Sequence, residues 1–446
     1  MKQILVLGAG LSSSALVRYL QQQAGKLQWV ITIADANIDS AILRAANMPY
    51  TNAIQLQAND TFELGNTIAQ YDIVLSLLPP DMHVLVAKAC ITYKKHLITA
   101  SYVSDGMRNL HKDALKAGVL LLNEMGLDPG IDHMSAMYVI DEIKAMGGQV
   151  RVFRSYCGGL VAEEFDDNPW HYKFTWNPRN VVLAGKATAA LVRDGLIKYI
   201  PPARIFKTIE NISIHQVGDF DGYPNRDSLS YIKPYGIAEA HTVIRGTLRG
   251  KGFCEAWQLI TELGLNDDDL VIQDAYKLTY RSWISAFVPG ADEVNVESML
   301  QAHLNVSDND PRFLKLQWLG LFDHTTIPLR SATSAQILQV LLQSKWNLLP
   351  NELDMIVLQH QFEYTIGADN YTRKDNLVVK GDDNTFTAMA KTVGLPMAIA
   401  TKHILNGTIT QRGVHIPINS NIYKPVLAEL QTLGISFTHH TELISE

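Results

Sequence analysis

The first third of the chain switches repeatedly between two hydrophobic periods. Ile4-Leu5-Val6-Leu7 is a short apolar run closed by Gly8-Ala9-Gly10, after which Leu11, Ala15, Leu16, Tyr19 and Leu20 recur at helical spacing. Such a pattern predicts a buried strand, a tight glycine turn and a helix. Trp29 to Ala34 repeats the strand signal and ends at Asp35. Ala53-Ile54-Gln55-Leu56 is a weaker strand, and Asp60 can cap a helix reaching Tyr71. Strong strands follow at Asp72 to Leu78, around His96 to Thr99, and at Val119 to Leu122, with helical spacing between them. Strands separated by helices wind into a parallel sheet with right-handed crossovers. Gly8–Gly10, Leu77–Pro79, Ser101–Tyr102 and Asp128 are therefore predicted along one rim, at the carboxyl ends of the strands.

Beyond this region the texture changes. Asn123 to His133 reads N-E-M-G-L-D-P-G-I-D-H, in which Pro129 fixes its own φ, biases Asp128 to extended backbone, and is followed by Gly130. That is a stiff loop at an expected domain boundary; on the loop alone, Asp128 is better explained by turn capping. Asp132 is expected to cap a helix to Gly147-Gly148, and Gln149 to Cys157 alternates as a strand. Residues 163–180 are polar and aromatic, the composition of a lid or binding loop. On the strand from His241 to Arg249, period two puts Arg245, Thr247 and Arg249 on one face and Thr242, Ile244 and Leu248 on the other. That face suits carboxylate recognition, since guanidinium binds carboxylate as a two-pronged fork, and equally suits a solvated sheet surface. Residues 253–345 read as helical, strands return at Met355–Ile366 and Asn376–Lys380, and Thr385 is expected to start a helix to about Asn406 that Pro396 kinks.

Composition narrows the chemistry. The net charge of −7 over 446 residues offers no long-range attraction to nucleic acid or an acidic membrane. Cys90, Cys157 and Cys254 are too far apart for a zinc site and odd in number for a disulfide framework, so no metal is expected. No signal segment and no membrane-length apolar run is apparent, which sets the expectation of a cytoplasmic protein.

The glycine turn carries the first specific inference. Gly8 permits the turn, Gly10 lets backbone approach a pyrophosphate, and the helix from about Leu11 offers free N–H groups to the anion. Ser13 replaces the third small residue of the motif, which is expected to loosen the helix–strand contact. At the end of the second strand, Asp35 can accept both ribose hydroxyls of an adenosine but repels a 2′-phosphate. Ala36 and Asn37 follow, with no Arg or Lys nearby to neutralise one, so electrostatics favours NAD, with NADP not excluded.

The long motifs carry a resemblance. N-E-M-G-L-D-P-G-I-D-H, S-Y-C-G-G-L, Y-K-F-T-W, Y-P-N-R-D-S, H-T-V-I-R-G-T-L-R and M-A-K-T-V-G-L-P-M-A-I-A-T-K resemble the saccharopine reductase family, the glutamate-forming saccharopine dehydrogenases. The resemblance implies an α/β architecture: a Rossmann-type parallel sheet domain over 1–128, with C-terminal helices of about 385–446 packing back onto it. A second α/β domain with a mixed sheet would take 129–252 and 346–384, and a helical insert 253–345. Homodimers are expected. By the same resemblance Gly8, Gly10, Leu11, Ser12, Asp35, Leu78, Ala100, Ser101, Leu127, Asp128, Pro129 and Asn177 fall where the family holds its cofactor. Ser101, Tyr102, Asp128, Arg226, Thr247, Leu248 and Arg249 fall where it holds saccharopine. The implied reaction adds hydride to the imine of glutamate and 2-aminoadipate 6-semialdehyde, with Asp128 the first and Cys157 the second candidate for moving the proton, and Lys173 a charge partner. Two rivals are a relative joining a different amine to a semialdehyde, of the carboxyspermidine type, and a non-catalytic nucleotide-binding scaffold. The first needs fewer cations than Arg226 and Arg249 supply, and the second expects those residues to have been lost.

Overall fold

The computed structural model describes residues 1–444, and the chain divides into two compact units. The first comprises residues 1–149 with 366–368 and 377–438, so it extends well past residue 128. It opens with β1 (Lys2–Leu7), α1 (Ser13–Leu27), β2 (Trp29–Asp35), α2 (Ile38–Ala45), β3 (Thr51–Gln55), α3 (Thr61–Ile68), β4 (Ile73–Ser76) and α4 (His83–Thr92). Then come β5 (His96–Thr99), α5 (Asp105–Asn109), α6 (His111–Ala117), β6 (Leu120–Leu122) and α7 (Ile131–Ala145). β1 is buried from Ile4 to Leu7, as an apolar run flanked by helices should be. The helix caps follow the side chains: the Asp60 carboxylate accepts the Phe62 and Glu63 amides, and the Ser104 hydroxyl the Met107 amide. Asp132 stands inside the first turn of α7 instead of capping it, and reaches back to accept the Gly130 amide at 2.6 Å.

The second unit comprises residues 150–365 and 369–376, with the segment from His439. Its strands begin with β7 (Gln149–Val161), which runs through Gly158-Gly159; a Cβ on Gly158 would stand 2.7 Å from the Leu248 carbonyl oxygen. They continue with β8 (Ala189–Arg193) and β9 (Leu196–Ile200), a hairpin beside the short helices α8 (Pro178–Val182) and α9 (Pro202–Ile205) in sequence. β10 (Glu210–Ile214), β11 (Gly218–Pro224), α10 (Ile232–Tyr235) and β12 (Thr242–Gly250) follow. Next come α11 (Phe253–Glu262), β13 (Val271–Ile272), α12 (Tyr280–Ser285), α13 (Val296–Leu304), α14 (Pro311–Leu319), β14 (Ala332–Thr333) and α15 (Ser334–Trp346), all inside this unit. Their shared core includes Trp170, Tyr172 and Phe174, so the middle of the stretch expected as a lid or binding loop is anchored inside by aromatic rings packed against α11 and α15, while residues 163–164, 166–167 and 176–177 stay exposed. β15 (Asp354–Ile366) and β16 (Asp369–Lys380) complete the main strands.

The last elements return to the first unit. α16 (Ala388–Leu405) is capped by Thr387 rather than Thr385 and runs through Pro396. It packs on α1 so closely that a Cβ on Gly394 would lie 2.9 Å from the Leu16 amide nitrogen. β17 (Gly413–His415), unforeseen in the sequence, adds an edge strand beside β6. α17 (Ser420–Thr432) contributes Glu429, which accepts from Lys402 at 2.6 Å and from the Tyr19 hydroxyl, tying three helices together. The first sheet is parallel in the order β17-β6-β5-β4-β1-β2-β3. In the second, ordered β10-β11-β12-β7-β15-β16-β18, β12 runs parallel to β7 and antiparallel to β11, so it is mixed. Its last member, β18 (Thr438–Leu443), shows that the chain end does not stay with the helices before it.

Two histidines make the first unit acid-sensitive. Burial pushes His83 and His96 down to about 4, and His96 accepts the Leu120 amide on Nδ1 at 3.0 Å, which requires an unprotonated nitrogen there. Unfolding returns each ring to its ordinary value near 6.5, so the unfolded chain binds more protons between these limits. Stability is complete above pH 6.5 and falls as pH drops toward about 4. Urea unfolding at pH 7 and pH 5 should show this loss, and His96→Gln should reduce it.

Candidate active site

The parallel sheet brings the predicted residues of the first unit to one edge. Gly8 leaves β1 at φ +98°, and a Cβ there would approach the Leu77 carbonyl oxygen to 3.2 Å, so the loops after β1 and β4 pass in contact. Leu78 follows, half-buried. Gly10 is open: a Cβ on it would meet nothing within 4 Å. Leu11 is exposed, and Ser12 occupies the N-cap of α1 without a side-chain cap bond; the first two amides of the helix, expected to be free, are instead turned into the loop, Ser13 donating to the Gly10 carbonyl at 3.1 Å and Ser14 to that of Leu11 at 3.3 Å. Ser13 is buried and donates to the Gly10 carbonyl at 2.7 Å, an added bond in the turn where a loosened contact was expected.

Asp35 is engaged on both oxygens. Oδ2 accepts the Ala9 amide at 2.8 Å and Oδ1 the Asn37 amide at 2.9 Å, fixing the carboxylate against the glycine loop. A cation does lie near. Arg44, on α2, donates from Nη2 to the Gly10 carbonyl at 3.1 Å, which corrects the expectation that no Arg or Lys stands close to this loop.

The loops after β5 and β6 are bound together. The Glu124 amide donates to the Ser101 carbonyl at 3.1 Å, and the Met125 amide to Thr99 at 3.1 Å. Gly126 fits against Ala100, since a Cβ there would be 3.1 Å from that of Ala100. The buried ring of His83 stands 3.0 Å from the Ser76 hydroxyl, 3.0 Å from that of Thr99 and 2.9 Å from that of Ser101. Burial keeps this ring neutral near pH 7, so it holds Ser101 without adding charge. Leu127 and Pro129 are buried on either side of the half-buried Asp128, with a cis bond between Asp128 and Pro129. Gly130 has φ +149°, and a Cβ there would fall 2.0 Å from the Gly126 carbonyl oxygen, so only glycine closes the loop. Tyr102 donates its hydroxyl to Asp128 Oδ1 at 2.7 Å. In the same loop, the buried Glu124 carboxylate lies 2.7 Å from His133 Nε2 and also accepts the Val103 amide at 2.9 Å.

A second group forms in the mixed sheet of the other unit. Strand register sets Cys157 of β7, Thr247 of β12 and Tyr223 of β11 side by side. Arg249, two residues along the same face, is 3 % exposed, which excludes a solvated surface for this part of the strand. Its Nη1 donates to the Leu248 carbonyl at 3.1 Å, and its guanidinium lies 5.1 Å from the Tyr172 ring centre and 5.5 Å from that of Phe253. No carboxylate pairs with it among the described residues; Tyr223, Tyr172, Cys254 and Cys157 are its electrostatic neighbours. Asp221, directly across the sheet, spends its carboxylate on the Gly252 amide at 2.9 Å, the Cys254 amide at 3.3 Å and Lys251 at 3.5 Å. The Tyr172 hydroxyl has no well-formed hydrogen bond among the described residues, with Trp176 and Arg249 as its polar neighbours.

Other predicted residues divide. Arg226 is exposed, adopts φ +52° in the left-handed region, and shares Tyr223 as a neighbour with Arg249 and Thr247. Leu248 faces away, and its contribution is the carbonyl that steadies Arg249. Asn177 caps α8 by accepting the Arg179 amide at 3.0 Å. Lys173 is buried against Glu352 at 2.5 Å and Asp167 at 2.9 Å, a structural ion pair. Tyr172 and Tyr223 were missed in the sequence; the tyrosine three residues before Arg226 would have been found only by assigning the β11–β12 register.

Comparison with known proteins gives a consistent result. The family described as Saccharopine dehydrogenase NADP binding domain matches residues 4–122, and that described as Saccharopine dehydrogenase C-terminal domain matches residues 126–435. The Saccharopine dehydrogenase [NADP(+), L-glutamate-forming] of Pyricularia oryzae is 35 % identical over 96 % of this chain and 96 % of its own. The mitochondrial alpha-aminoadipic semialdehyde synthase of Bos taurus is 35 % identical over 98 % of this chain but only 47 % of its own, so this chain spans about half of it. The apo saccharopine dehydrogenase (L-Glu forming) structure from Saccharomyces cerevisiae superposes with a TM-score of 0.90 at 34 % identity, covering 99 % of this chain and 100 % of that one.

The unpaired charge at Arg249 makes a contrast with Lys173. Lys173→Met strands the buried Glu352 carboxylate and should cost roughly 3–5 kcal/mol. Arg249→Met removes a buried cation with no carboxylate to strand, and should leave the calorimetric midpoint unchanged or raise it.

Proposed function

The chain belongs to the saccharopine dehydrogenase family, and on that premise we propose that it interconverts L-saccharopine with L-glutamate and 2-aminoadipate 6-semialdehyde, using a nicotinamide dinucleotide. The observation that carries this reading is Arg249: a buried guanidinium with no carboxylate partner among the described residues calls for an anionic ligand. Saccharopine has three carboxylates. In a chain of net charge −7, holding it requires cations aimed inward, and Arg249 and Arg226 each take one carboxylate in this assignment. A charge-assisted hydrogen bond of this kind contributes roughly 1.5–3 kcal/mol. The Thr247 and Tyr223 hydroxyls, next to each other across the strands, add neutral donors.

The glycine loop, the positive end of the α1 dipole and Asp35 support a dinucleotide in the first unit, with the open side of Gly10 giving room for its phosphates. When bound, the nicotinamide exchanges a hydride with the carbon of the reacting C–N bond. The protein's own task is to handle protons on that nitrogen and on the water that hydrolyses the imine. Asp128 is assigned this task, with Tyr102 fixing one of its oxygens, and Cys157 is the second candidate. For the adenosine ribose, Asp35 supports NAD, while the P. oryzae relative is named for NADP(+). A homodimer in a reducing, cytoplasmic setting completes the proposal; the three buried cysteines, none in a disulfide among the described residues, support the reducing setting.

Absorbance at the reduced-nicotinamide band, with saccharopine and each cofactor separately, tests the reaction; no saccharopine-dependent signal with either would refute it. Arg249→Ala should raise the saccharopine KM by about tenfold or more. Asp128→Ala should lower kcat by roughly a hundredfold with little change in cofactor Kd; full activity would leave Asp128 as a turn residue.

A further inference from the structure

Arg44 stands in the last turn of α2, nine residues beyond the strand end that carries Asp35. It is half-buried, and no carboxylate pairs with it among the described residues. Nη2 donates to the Gly10 carbonyl, but that oxygen already accepts the Ser13 amide at 3.1 Å and the Ser13 hydroxyl at 2.7 Å. Its Nε is buried and has no acceptor among the described residues. A guanidinium that spends one N–H on an already satisfied carbonyl and buries another unpaired is poorly accounted for by loop support alone.

Its position gives it a second use. Asp35 grips the Ala9 amide and Arg44 the Gly10 carbonyl, so a carboxylate and a guanidinium hold adjacent residues of one loop. Beside Gly10 the space is open. A phosphate monoester there, carrying about −1.5 to −2 charges near neutral pH, would be repelled by Asp35 alone. A guanidinium at the same loop offsets that repulsion and offers a planar fork suited to phosphate oxygens. Ala36, just after the strand, can do neither.

We propose that Arg44 is a specificity-determining residue: it pairs with the 2′-phosphate of the adenosine ribose, so that a site carrying Asp35 accepts NADP as well as NAD. This rests on the chain being a nicotinamide-dependent enzyme. NAD uses the Asp35 side of the loop and needs Arg44 little; NADP needs Arg44 to tolerate Asp35.

Equilibrium titration separates the roles without turnover. NAD and NADP are titrated into wild-type protein and variants, followed by intrinsic tryptophan fluorescence, with adenosine 2′,5′-bisphosphate against AMP as a fragment pair. Wild-type protein should bind both cofactors. Arg44→Met should weaken NADP and the bisphosphate by about tenfold or more while NAD and AMP change by less than about threefold. Asp35→Ala should do the reverse, weakening NAD more than NADP. If Arg44→Met folds poorly, Arg44→Lys, which keeps the charge and loses the fork, should still weaken NADP selectively. Equal loss of both cofactors in the Arg44 variants would make Arg44 a loop support and overturn the proposal, as would no loss. Wild-type protein that binds NAD but not NADP would overturn it while leaving the functional reading intact; binding of neither would remove that reading as well.

Discussion

A buried positive charge without a carboxylate among the described residues is the constraint that the mixed sheet has to accommodate. Burying an ion costs several kcal/mol, which a folded domain recovers by pairing it. The mixed sheet had a carboxylate available, since Asp221 lies opposite Arg249 across β11 and β12. The turn into α11 takes that carboxylate instead, through the Gly252 and Cys254 amides, and leaves Arg249 held by one carbonyl and walled by Tyr172 and Phe253. Contrast Lys173, whose charge is fully answered by Glu352 and Asp167 within the chain. One cation serves the fold, and the other is the one the proposed function assigns to a substrate carboxylate.

The parallel sheet applies a related logic with backbone geometry. Its strands end together, and the loops that follow are fixed by short contacts: Gly8 against Leu77, Gly126 against Ala100, His83 among three hydroxyls, and Tyr102 on Asp128. Proton handling by Asp128 would therefore start from a preset position, with one carboxylate oxygen held by Tyr102. Arg44 at the glycine loop and Arg249 in the mixed sheet, neither paired with a carboxylate among the described residues, are where an anionic group is proposed in each unit.

Much of the parallel sheet was legible because its signals are local: a four-residue apolar run, glycines with a required geometry, and an acid at a strand end. The faces of β12 were legible for the same reason, since period two needs no knowledge of the neighbours. What escaped depends on contacts distant in sequence. Arg44 reaches the glycine loop from another helix, and Tyr223 meets Thr247 only once β11 and β12 are in register. β17 is three residues long and carries no period. The stretch around Trp170 and Tyr172 looked like a lid because polar residues outnumber rings there, but the rings decide its place, packing against Phe253 and Trp346.

The central claim, that a substrate carboxylate completes the charge on Arg249, is tested most directly by calorimetric titration of saccharopine into cofactor-saturated wild-type and Arg249→Met protein. The account predicts measurable binding to the wild type and a loss of about tenfold or more in the variant, with both proteins equally folded. Equal affinity for the two proteins would contradict it.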